Sequence, residues 1–215
     1  MQLFKYSLLW LLLQASATIS ARSIPTINED YAHEAARQQV VWRGRACPLA
    51  TLANDFLESI YGKTSYKGLS SVQVLYGWHL RPDVWKDEPM IFISDANLRS
   101  QLSIEGEYAR FSELFDDTLG YRLNTLGADL PEKMRQMVRE SVPAIELDEK
   151  VGMIILLTQG KLIVPRPETM EPLSSWCVET EILYNEIPMY AYFIIIGVVC
   201  VGFAVVRKLG ILERR

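Results

Sequence analysis

Apolar residues recur at three- and four-residue intervals through Leu52, Phe56, Leu57 and Ile60. This spacing predicts a helix over Thr51–Tyr61, with Thr51 as its N-cap and Gly62 as its stop. A second helix is expected from Ser70 or Ser71 through His79, with Val72, Leu75 and Tyr76 on its apolar face and Pro82 ending it. QVVWR at 39–43 reads as a strand turned by Gly44, and MIFI at 90–93 as a short buried strand between Pro89 and Asp95. Further on, Ser94 or Asp95 opens a short helix through Leu102, and Ser112–Phe115 forms a helical turn. Pro131 suits the first position of a helix carrying Met134, Met137 and Val138, which Val142-Pro143 interrupts. The helical pattern resumes over Glu146–Gln159, an extended stretch follows at 162–164, and a last helix spans Leu173–Glu186. The expected domain is mostly α with a few short strands.

The two ends follow a different pattern. Lys5, an apolar run from Tyr6 to Leu13 and small residues at Ala15 and Ala17 together read as a secretory signal peptide over 1–21. Tyr190–Val206 holds 17 residues without a charge, followed at once by Arg207 and Lys208. That run predicts a transmembrane helix at 190–206 and a cytoplasmic basic tail at 207–215. An extracytoplasmic domain at 22–189 lies between them. The implied placement is the inner (cytoplasmic) membrane, single-pass, with the main domain in the periplasm.

Charge sharpens this division. Between Arg22 and Met189 there are 17 basic and 25 acidic residues, a net of −8. An acidic domain is a poor partner for nucleic acid, whose phosphates need a basic surface.

Chemistry is sparse. The chain lacks CxxC, CxxCH, GxSxG, P-loop and GxGxxG patterns. Its two histidines are His33 and His79. His79 follows Trp78 on the second helix, which leaves two readings: a haem-binding pair, or a half-buried helical histidine beside a core tryptophan. Arg43-Gly-Arg45 is either an anion site or a turn with outward arginines. Trp42, Trp78, Trp85 and Trp176 make a flat apolar groove or fill the core. Cys47 and Cys177 are either a disulfide or two buried thiols.

One stretch does resemble a known family. WRGRACPLATLANDFLESIYGKTSYKGLSSVQVLYGW (42–78), followed by PDVWKDEPMIFI (82–93), is similar to the soluble region of system II cytochrome c biogenesis proteins, closest to the ResB/CcsA-type fusion. The carriers are Gly44, Arg45, Pro48, Thr51, Ala53, Gly62, Lys63, Tyr66, Gly68, Leu69, Gln73, Val74, Trp85, Pro89, Ile91 and Ile93. The resemblance implies a complex that delivers haem to apocytochrome c, with a polytopic assembly membrane protein as partner. The family's tryptophan-rich WWD loop and its histidine ligands on several membrane helices are not among these residues. The resemblance therefore implies a noncatalytic, membrane-anchored subunit or fragment. A single-pass envelope scaffold unrelated to haem is the alternative.

Overall fold

The computed structural model describes residues 24–208 apart from Leu119, Asp129 and Pro188. The signal peptide expected at 1–21 and most of the tail expected at 207–215 lie outside the described residues.

The chain first runs without regular structure through Ile24–Ile27, where both isoleucines pack on the core. Asn28 then caps α1 (Glu29–Ala35), its side chain accepting from the Tyr31 amide. Strands β1 (Gln39–Trp42) and β2 (Arg45–Pro48) form a hairpin. The two turn residues, Arg43 and Gly44, both have positive φ, as the twist of a two-residue hairpin demands. β2 runs straight into α2 (Leu49–Tyr61), which Gly62 ends in the left-handed conformation. This helix starts two residues before the expected Thr51 cap, so Thr51 lies inside it. The tight hairpin β3 (Ser65–Tyr66) and β4 (Leu69–Ser70) leads into α3 (Ser71–Leu80). Ser70 and Gln73 close a capping box at its start.

After α3, the single turn α4 (Pro82–Trp85) folds Trp85 back onto Gly77. β5 (Pro89–Phe92) pairs with β6 (Tyr108–Arg110) across α5 (Ala96–Gln101), which Asp95 caps. A 3-10 turn at Phe111–Leu114 precedes the small β7 (Phe115–Asp116) and β8 (Gly120–Tyr121) pair. Then come α6 (Arg122–Thr125), α7 (Glu132–Arg139) and the long α8 (Val142–Thr158). Pro143 sits in the first turn of α8, where no amide is required, so it opens this helix instead of breaking an earlier one. β9 (Val164–Pro165) returns to pair with β1, completing a sheet of order β2-β1-β9. α9 (Ser175–Glu186) and α10 (Met189–Lys208) follow.

The fold is mixed α/β, which corrects the expectation of a mostly α domain with a few short strands. The described residues hold ten α-helices, a three-stranded sheet and three two-stranded pairs. The unforeseen strands are two to four residues long. They are set by paired turns and by packing, β2 on α2 and β3 and β4 on α3, so no two-residue alternation marks them in the sequence.

The membrane expectation is also corrected. No helix among the described residues is long and apolar enough to cross a membrane. The uncharged stretch of 17 residues at 190–206 spans about 25 Å as a helix, short of the ~30 Å hydrocarbon thickness. α10 closes on Arg207 and Lys208, and the marginal residues Pro188, Leu209 and Ile211 lie outside the described residues. The single-pass inner-membrane placement loses its structural ground with that helix.

The core lies where α2 packs on α3, α3 on α8, and β5 across α2. Leu52, Phe56, Leu57, Leu75, Trp78, Trp85 and Ile91 are fully buried in it.

Candidate functional site

Trp78 and His79 are neighbours on α3 but point into different surroundings. Trp78 is buried, packs edge-on against Phe111 and beside Trp85, and donates its Nε1–H to Met90 Sδ at 3.0 Å. Its ring is a core element with no open face for a ligand. His79 is half-buried, with Nδ1 3.1 Å from the Leu157 carbonyl at the end of α8. A carbonyl only accepts, so Nδ1 carries the proton, and in the neutral ring Nε2 keeps the lone pair. The histidine thus adds to the end of α8, where the Leu157 carbonyl also accepts from the Gly160 amide at 3.0 Å. The structure therefore does not bring Trp78 and His79 together as a pair.

The other tryptophans divide likewise. Trp85 is buried with Nε1–H on the Pro25 carbonyl at 2.9 Å. Trp42 is half-buried, donates to Asp55 at 2.8 Å and carries the Arg43 guanidinium near its ring. Trp176 on α9 is 75% exposed. The four make no common groove. The cysteines are free thiols. Cys47 is buried and, through burial, pushed up to about 11, whereas Cys177 is exposed.

Two of the resemblance's carriers meet at an ionic junction that sequence reasoning missed. Arg45 from β2 makes a bidentate pair with Glu181 of α9, at 2.7 and 3.2 Å. Thr51 of α2 donates to the same Glu181 oxygen at 2.8 Å and accepts from Asn185 Nδ2 at 3.0 Å. Two residues back on α9, Glu179 takes a second bidentate pair from Arg37, at 2.6 and 3.2 Å. Burial pushes the Glu181 carboxyl up, but the hydrogen bonds from Arg45 and Thr51, with the charge of Arg45, outweigh it and hold the group below the usual carboxylate range. The hydrogen bond to Glu181 in turn raises Arg45. The arginines expected to face outward or to hold an anion are therefore engaged within the protein, Arg43 with Asp55 at 3.3 Å and Arg45 with Glu181.

Beside this junction lies a groove of about 720 Å³. Its floor includes Ala32, Ala36, Ala50 and Val72, while Ile182 and Leu183 of α9 form one wall. The β3–β4 hairpin borders it and is itself pinned by Glu88, which accepts from Tyr66 Oη at 2.7 Å and Lys67 Nζ at 2.6 Å. Burial and the neighbouring Glu88 raise the Tyr66 phenol far above its usual value. The Arg45–Glu181 and Arg37–Glu179 contacts join residues more than 130 positions apart. The available sign was a pair of glutamates two apart on a helix with no basic residue. Among the described residues no three His, Cys, Asp or Glu side chains gather as a metal site.

No family model matches the chain. It is 28% identical over 137 residues to Protein NrfI of Wolinella succinogenes, a match covering 62% of this chain and 15% of that protein. The chain thus spans about a seventh of the length of this curated relative.

Proposed function

We propose that this chain is a noncatalytic subunit or fragment of the cytochrome c assembly machinery. The observation that carries the reading is the 28% match to Protein NrfI over 137 residues, which supports a role in cytochrome c maturation. The system II resemblance at 42–93 points the same way. On this reading the domain is a binding and positioning body. Its partners are a polytopic cytochrome c assembly protein that carries the haem chemistry, and apocytochrome c.

Deletion of the gene in its own organism, followed by haem staining of c-type cytochromes, tests this directly. Loss of covalent haem from one or more of them is expected. A complete set of c-type cytochromes in the deletion strain would sink the proposal. Co-purification with a WWD-containing polytopic protein is the second expectation. Capture of other envelope complexes alone would favour a scaffold unrelated to haem.

Direct haem contact through His79 is a narrower reading, supported by the free Nε2 that the Nδ1 hydrogen bond to Leu157 leaves. Haemin titrated into the protein should give a Soret shift that His79→Ala removes. An unchanged shift in that variant would rule the contact out.

A further inference from the structure

The attachment of α9 differs from that of α2, α3 and α8, each of which buries several apolar side chains. Among its described side chains one is buried, Val178 at 5% exposure, and Ile182 is half-buried beside it. Trp176 and Leu183 stand in solvent. What holds the helix down is polar: Arg37 with Glu179 and Arg45 with Glu181, braced by Thr51 and Asn185. Glu179 and Glu181 lie about 200° apart around the helix. The two arginines, from the turn after α1 and from β2, therefore grip α9 on opposite flanks of Val178. At its start, the Gln39 side chain exchanges two hydrogen bonds with the Leu173 backbone, each 2.9 Å, and fixes the pivot. The inner face of α9 does not close against the hairpin. It leaves the 720 Å³ groove, of which it is one wall.

We propose that α9 is a releasable arm: it leaves and rejoins the body as a unit, with the two Arg–Glu pairs as its catch, and its release opens the groove. Partly exposed ion pairs are screened by salt, whereas apolar burial is not. The catch therefore yields under conditions that leave the α2–α3 core untouched. A freed helix of 12 residues is marginal in water, so release shows as loss of amide protection. The inference stands on this junction alone and does not depend on the cytochrome reading.

Hydrogen exchange on the full chain, read by mass spectrometry on α9, α2 and α3 peptides, tests it. Raising NaCl from about 50 mM to about 500 mM should speed α9 exchange roughly tenfold, with α2 and α3 unchanged. Arg45→Met at low salt should do the same. The proposal is overturned if α9 exchanges as slowly as α2 and α3 at every salt concentration. It is equally overturned if salt shifts all three together, or if Arg45→Met leaves α9 as protected as before. Should that variant fail to fold, the salt series on the unaltered protein decides alone.

Discussion

The α2–α3–α8 body and the α9–α10 arm draw on the same residue types and use them in opposite ways. In the body, Trp78 and Trp85 are buried, tilted against one another at 6.3 Å between ring centres, and each indole N–H has a partner inside the protein. In the arm, Trp176 is exposed, and so are Phe193, Ile194, Ile195 and Ile196. The body is held by close packing, which salt and pH hardly touch. In the arm, α9 is held by charge and hydrogen bonding, which respond to both. Similar hydrophobicity in the sequence therefore says little about which mode of attachment a helix will use.

The largest effects should fall in the body. Trp85→Ala removes a buried aromatic and should cost about 3–5 kcal/mol in urea unfolding. Gly77→Ala should approach that loss at about 3 kcal/mol, because an added Cβ would sit 2.3 Å from the Trp85 ring. A stable Gly77→Ala protein would show that Trp85 has room to move, and would weaken the contrast with the arm. Glu88→Gln should cost about 1–2 kcal/mol, since it weakens two hydrogen bonds that pin the β3–β4 hairpin.

Acid should separate the two regions further. Glu88 and Glu181 both sit below their ordinary value of 4.5: burial pushes each up, but Lys67 and Tyr66, or Arg45 and Thr51, pull it further down. A depressed carboxyl stabilises the fold fully above its unfolded value and loses that contribution as pH falls through the folded one. α9 faces Arg37, Arg45 and Thr51, the last through its own Asn185, with Asp55 and Cys47 nearby. Its amide protection, corrected for intrinsic exchange, should therefore fall below about pH 4.5 while α2 and α3 persist. Simultaneous loss in all three helices would erase the distinction. Arg45→Met should change global stability by less than about 1 kcal/mol while freeing α9. Smallest of all, Trp176→Ser should stay within about 0.5 kcal/mol, because its ring has little to lose.

Much of the body was legible along the chain. The periodicity of Leu52, Phe56, Leu57 and Ile60, the Gly62 stop, the Ser70 cap and the QVVW strand all stand where local chemistry places them. Each rests on interactions within a few residues, which sequence order preserves. The short strand pairs did not show, because strands of two residues have no period and exist only where turns and docking bring them together. The apolar run at 190–206 was read correctly as a helix but was too short by itself to span a membrane.

For the candidate site, the sequence by itself determined residue identities and local frames. It put His79 on a helix after Trp78, and Arg45 just past a turn at Gly44. Only the tertiary structure decided what they face. It sent Trp78 inward against Met90, bound His79 to the end of α8, and closed Arg45 on a glutamate 136 residues away. The reason is physical. Helix and turn propensities act over one or two turns of chain, whereas the pairing of a charge is settled by whichever opposite charge the packed body brings within hydrogen-bond reach.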